Sequence, residues 1–125
     1  MRISQELRQR TKRFSSSIIR LFVDPPPGEK AVEVIGTQML RAGTSVASHT
    51  REASRARSDA EFCSKLDVLL QEADETQLWL EHLAEDCGID PTRIGPIHAE
   101  SDELISIFTT MVARVRRRGK DSGGA

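Results

Sequence analysis

Tyrosine is absent, and the only aromatic side chains are four phenylalanines and one tryptophan. That poverty argues against a β-sandwich core, and against a base-stacking platform for single-stranded nucleic acid. Net charge is also nearly absent, at −1, so bulk electrostatics announces no nucleic-acid partner. No apolar run approaches the roughly 20 residues needed to span a bilayer, and no membrane role is expected. The first residues, Met1 to Arg10, are charged and lack the apolar centre of a secretory signal. Cytoplasmic localisation is therefore the default expectation. Cysteine is scarce. Cys63 and Cys87 fall on one predicted helix, about 36 Å apart at ~1.5 Å rise per residue, and cannot pair with each other. Reduced thiols in a cytosolic protein are the simplest account.

The usual catalytic patterns are missing too. A di-iron carboxylate bundle needs Glu-x-x-His motifs, but Val46, Trp79 and Gly95 stand three residues before His49, His82 and His98. No Cys/His pair has zinc-ligand spacing. Asp74 and Glu75 are adjacent on a helix and diverge by about 100°, so they form no carboxylate dyad. Ser48 and His49 are neighbours in sequence, which does not place a base on a nucleophile. No glycine-rich phosphate loop occurs. The expectation is a protein that is not an enzyme and takes no cofactor and no metal.

What is present is helical periodicity. The 125 residues suit one domain with a single core. Helix one is predicted from about 4 to 23, with Leu7, Phe14, Ile18, Leu21 and Phe22 on one stripe and Arg2, Lys12, Arg13 and Arg20 opposite. Asp24-Pro25-Pro26-Pro27-Gly28 must break it. Helix two is expected over about 30–56. Its apolar seam is Val32, Ile35, Met39, Ala42, Val46 and Ala53. Gly36 and Gly43 flank that seam and imply close approach of a neighbouring helix.

Ser58 and Glu61 fit a capping box that opens helix three, expected over 59–87. Its seam, Phe62, Leu66, Leu69, Ala73, Thr76, Leu80, Leu83 and Cys87, alternates steps of three and four as bundle helices do. Gly88 is placed for a left-handed cap. Asp90-Pro91 opens helix four, expected over 91–118 through Ile94, Ile97, Leu104, Phe108, Met111, Val112 and Val115, with Gly95-Pro96 able to interrupt its first turn. Residues 120–125 read as a disordered tail. The fold class is all-α, an antiparallel up-down-up-down four-helix bundle over 1–119.

Charge is unevenly distributed. Residues 58–90 carry Lys65 against ten acids, Asp59, Glu61, Asp67, Glu72, Asp74, Glu75, Glu81, Glu85, Asp86 and Asp90. Arginines gather instead near two helix ends: Arg51, Arg55 and Arg57 on helix two, and Arg114, Arg116, Arg117 and Arg118 with Lys120 on helix four. In an up-down-up-down bundle those ends share one pole. That favours RNA, DNA or an acidic protein there; alternatively, the cations complement helix dipoles and aid solubility.

Helix two carries a second stripe, Thr37, Arg41, Thr44, Ser48, Arg51 and Arg55, built from small hydroxyls and arginines. It suits a surface that lies against another subunit. Glu72 is expected to meet Arg41, within one subunit or across an interface, the alternative being an exposed glutamate. Leu78, on what should be the wet face, and Trp79 extend the apolar surface. The expected subunit interface is therefore Thr37, Arg41, Thr44, Ser48, Glu72, Leu78 and Trp79.

The run Gln38-Met39-Leu40-Arg41-Ala42-Gly43-Thr44-Ser45-Val46-Ala47-Ser48-His49 resembles the Q-L-x-R-A-x-x-S-V-x-A-N helix of the four helix bundle, or 23S rRNA-intervening sequence, protein family. Arg51 to Ser58 resembles the exit of the family's second helix, and Glu72 to Glu81 the centre of its third. His49 stands where the family often has Asn. The resemblance implies a small four-helix bundle, a homo-oligomeric ring that is pentameric in known relatives, and no established enzymatic activity. For the related accessory variability protein of diversity-generating retroelements it implies binding to a reverse transcriptase and to nucleic acid. Two functional readings stand: an oligomeric scaffold that binds RNA or a nucleic-acid enzyme, and a purely structural protein-interaction module.

Overall fold

The computed structural model describes residues 3–23 and 30–123, the last four of these by their backbone alone. They form four helices: α1 (Gln5–Val23), α2 (Lys30–Ser54), α3 (Asp59–Glu85) and α4 (Pro91–Gly123). The proline break at Pro25–Pro27 and the position of Arg2 lie outside the described residues.

Local chemistry explains most of the helix ends. Ser4 Oγ accepts from Leu7 N–H at 3.0 Å and so opens α1. Ser58 is extended, at φ −152°, and its side chain accepts from Glu61 N–H at 3.0 Å, which is one half of the expected capping box. Asp90 Oδ1 accepts from Thr92 N–H at 2.9 Å, with Pro91 as the first helical residue of α4. Gly88 adopts φ +73°, a conformation that a side chain would disfavour, and Ile89 N–H then returns to Leu83 O at 3.0 Å.

Three helix ends differ from expectation. Helix α2 stops at Ser54, short of the expected 56, so Arg55 and Arg57 lie in the turn that follows. Helix α3 stops at Glu85, so Cys87 lies in the turn beyond it rather than on the same helix as Cys63. Helix α4 does not break at Gly95-Pro96. Pro96 removes the hydrogen bond to the Thr92 carbonyl, but Thr92 is exposed and water can serve it. The same helix also runs on to Gly123, so residues 120–123 of the expected disordered tail are helical; 124 and 125 lie outside the described residues.

Side-chain registers set the topology. From α1 to α2, Phe22 faces Gly36 while Ser15 and Ile18 face Gly43. From α2 to α3, Arg41 meets Glu75 while Glu52 meets Lys65. From α3 to α4, Asp67 meets Arg116 while Glu81 meets His98. In each pair one number rises as the other falls, so the helices alternate in direction. Each packs on its chain neighbours, and α1 closes the ring against α4, where Arg10 grips Glu100 and Glu103. This is the up-down-up-down bundle expected from the sequence.

The predicted seams point inward. Ile18, Val46, Leu66, Leu69, Leu80, Leu104 and Phe108 are fully buried. Phe22, Ile35, Cys87, Ile97 and Met111 are only partly covered, at the edges of the core. Polar side chains share the interior, most of them satisfied within their own helix. Thr11, Thr50, Thr76 and Ser101 are buried, and each donates to a carbonyl one turn back on its own helix. The α1–α2 seam is the tightest. A Cβ on Gly43 would lie 2.8 Å from Ile18 Cγ1, and Ser15 Oγ donates to Gly43 O at 3.3 Å. The close approach expected of the glycines is made by α1 of the same chain.

Candidate functional site

The hydroxyl-and-arginine stripe of α2 divides along its length. Its upper part turns toward α3. Arg41 Nη2 donates to Glu75 Oε1 at 2.9 Å, and Arg41 Nη1 stands 3.7 Å from Glu72 Oε2. Trp79 Nε1 donates to the same Glu75 oxygen at 3.3 Å. Arg41 thus meets Glu72 as expected, within one chain, and Trp79 joins them through Glu75. Glu75 is the closer partner and was not anticipated. One turn of α3 separates it from Glu72 and Trp79, so its position beside both was legible from helical spacing. Glu72 Oε2 is buried without a hydrogen-bond donor, and Arg41 compensates its charge only at ion-pair distance.

The small hydroxyls of the stripe are already engaged. Thr37 donates to Glu33 O at 2.8 Å and Thr44 to Leu40 O at 2.7 Å. Ser48 is exposed, as is Leu78, at 46%. Along α2 this stripe presents Thr37 and Ser48 as exposed small side chains beside an ionic cluster in which Glu72 Oε2 still lacks a donor.

The lower part of the stripe turns the other way, toward α1. Arg51 and Arg55 face Arg8 and Lys12 across a surface groove of about 340 Å³, lined also by Gln5, Gln9 and Ser54. All four cations are exposed, and none has an ion-pair partner among the described residues. The chain register produces this meeting. An antiparallel α1 must lay its first turns beside the last turns of α2. Arg8 and Lys12 lie one turn apart on α1, about 6 Å along its axis, while Arg51 sits in the last turn of α2 and Arg55 in the turn just beyond it.

The end of α4 reaches the same pole, because Arg116 Nη2 meets Asp67 Oδ2, near the start of α3, at 2.6 Å. That contact raises the Arg116 pKa, through the hydrogen bond first and the Asp67 charge second, and commits Arg116 to structure. Arg57, Arg114, Arg117 and Arg118 are exposed and have no ion-pair partner among the described residues. Nothing is described for the Lys120 side chain.

Acids at this end are mostly spoken for. Glu52 is hydrogen-bonded by His49 Nδ1 at 2.8 Å and approached by Lys65; its pKa is lowered, chiefly by that His49 contact. Asp59 and Glu61 occupy the first turn of α3, where the helix dipole favours them. The opposite end is acidic, with Glu81, Glu85, Asp86 and Asp90 exposed. There His98 Nε2 meets Glu81 at 2.9 Å and His82 Nδ1 meets Asp86 at 2.7 Å.

Comparison with known proteins completes the picture. The family model for 23S rRNA-intervening sequence protein matches residues 4–110. The chain belongs to the 23S rRNA-intervening sequence protein family. A crystal structure of a protein of unknown function from the S23 ribosomal protein family of Bacteroides thetaiotaomicron is similar, at 31% identity and a TM-score of 0.75. The match covers 84% of this chain and 96% of that one. No curated protein matches the chain.

Within the 23S rRNA-intervening sequence family resemblance, residues 38–81 carry the specificity, and they cover most of α2 and most of α3. The basic groove draws half its cations from α1, outside that stretch. Arg8 and Lys12 were legible as charges but not as partners of Arg51 and Arg55, because that pairing follows only from the register. Among the described residues no helix is long and apolar enough to cross a membrane, and no group of three His, Cys, Asp or Glu is placed to hold a metal ion.

Proposed function

We propose that this family member is a non-enzymatic, self-associating bundle that holds a polyanion, RNA or DNA, at the pole where α2 and α4 end. The observation that carries the reading is the set of free cations there. Arg51, Arg55, Arg57, Arg114, Arg117 and Arg118 have no ion-pair partner among the described residues, while Arg10 and Arg41 are tied to pairs of carboxylates. Unpaired arginines keep their full capacity for phosphate oxygens. A cytoplasmic setting is consistent with this role.

Self-association rests on two surfaces. One is on α3, where Leu78 is exposed next in sequence to the half-buried Trp79. The other is a hollow on α4 lined by Ile107, Met111 and Val115 with Arg114 and Arg118. Family resemblance favours a pentamer. Light scattering at micromolar concentration tests this directly, because a mass near 13.9 kDa means a monomer and removes the assembly reading. Filter binding to RNA at ~50 mM salt tests the polyanion reading, since phosphate contacts are strongest at low ionic strength. The exposed Leu78 also favours a second reading, a protein-interaction module without nucleic acid, which RNA binding would refute.

A further inference from the structure

We infer that the groove between α1 and α2 is the principal docking site for a nucleic-acid backbone, read through its phosphates and without base specificity. This rests on the polyanion reading of the basic pole and assigns it a site. The groove sets two rows of cations face to face, Arg8 with Lys12 and Arg51 with Arg55, and is open rather than enclosed along the surface. None of the four is neutralised by a described residue.

The lining discriminates between partners. Apart from the cations it consists of Gln5, Gln9 and Ser54. Ser54 already donates to Thr50 O at 2.9 Å, which leaves the two glutamine amides as neutral donors. No large apolar side chain lines the groove to seat an aromatic or aliphatic anchor, which a protein partner would need. A phosphate backbone needs only cations and donors. No aromatic ring lines it either, so bases find no stacking surface and sequence preference should be weak.

The test uses the full chain and a labelled oligouridine, with dissociation constants measured from ~50 to ~200 mM salt. Four phosphate contacts on a single strand give a slope of log affinity against log salt of about −2.8, or roughly fifty-fold weakening across that range. The pairs Arg51→Ala/Arg55→Ala and Arg8→Ala/Lys12→Ala should each remove about 1.4 from the magnitude of the slope. Each should also weaken low-salt binding by at least about tenfold, at ~1.4 kcal/mol or more for two charge-assisted contacts. The pair Arg114→Ala/Arg117→Ala should have the smaller effect, and oligocytidine should bind like oligouridine. All these residues are exposed, and circular dichroism should show unchanged helicity.

If wild-type chain binds while both groove pairs bind equally well, the groove is wrong and the polyanion reading survives. If wild-type chain binds no oligouridine at ~50 mM salt, the polyanion reading itself fails. Displacement by inorganic phosphate at equal phosphate concentration, or by oligoglutamate at equal charge, would overturn the nucleic-acid assignment in favour of a small anion or an acidic protein.

Discussion

The two ends of the bundle carry opposite charge and treat it differently. At the end shared by Glu81, His82, Asp86 and His98, acids pair with imidazoles and across α3 and α4, and Gln77 bridges to Ser101 and Asp102 at 2.9 and 2.5 Å. At the other end Glu52 and Asp67 are paired, and apart from Arg116 the arginines are left over. Net charge near zero conceals this contrast. A polarised bundle with free cations at one end can hold a polyanion without being basic overall, and its long-range field still steers a charged partner.

The strongest way to break the comparison is charge reversal at each end. Arg51→Glu with Arg55→Glu should reduce RNA binding at ~50 mM salt by a hundredfold or more, because it replaces two attractions with two repulsions. Glu81→Lys with Glu85→Lys at the acidic end should leave binding within about threefold, as those positions lie near a bundle length from the groove and beyond the ~10 Å screening length. Equal losses from both would mean that total charge, not the pole, governs binding.

The α1–α2 seam also differs along its length, and stability measurements sharpen that difference. Gly43→Ala should destabilise by about 1–3 kcal/mol in urea unfolding, because its Cβ would sit 2.8 Å from Ile18, which is itself fully buried and cannot yield. Gly36→Ala, nearer the acidic end, should lie within ~1 kcal/mol of wild type in either direction. Its nearest neighbour is a Phe22 ring atom at 3.3 Å, that ring is only partly buried, and alanine favours the helix.

Removing the Ser58 cap, as Ser58→Ala, should cost about 1 kcal/mol at the basic end. Arg116→Ala should cost less than the cap, because its ion pair with Asp67 is exposed to solvent. Smallest is the acid response. Glu52 and Asp90 have lowered pKa values, from ordinary values of 4.5 and 3.8, through the His49 contact and the Thr92 backbone hydrogen bond respectively. Each favours the folded state fully above those ordinary values and loses that contribution as pH falls through its lowered one. Thermal midpoints should therefore be flat from neutral pH down to about 5 and decline below it.

Much of the fold was legible because its signals are local. The α3 seam is one example: steps of three and four put Phe62, Leu66, Leu69, Ala73, Thr76, Leu80 and Leu83 inside, and all are buried. Ser58, Gly88 and Asp90 announced helix ends through their own backbone chemistry. The continuity of α4 through Pro96, expected over 91–118 with Gly95-Pro96 able to interrupt it, depends on Thr92 being exposed at the first turn. The site was legible only in part. Arg51 and Arg55 stood out by themselves, whereas Lys12 was placed only on the face opposite the helix-one stripe and Arg8 was not singled out, until the register laid α1 beside α2. Arg116 shows the converse: the sequence groups it with its neighbouring arginines, but Asp67 claims it. Glu75 was missed because Glu72 was the more conspicuous carboxylate opposite Arg41.

The most direct measurement is a titration of isotopically labelled protein with oligouridine, followed amide by amide by NMR. The basic-pole account predicts shifts concentrated in residues 5–12 and 51–57, with weaker ones over 114–118 and none around Glu81 to Arg93. Shifts centred on the α2–α3 face at Leu78 and Trp79, or no shifts at low salt, would contradict it.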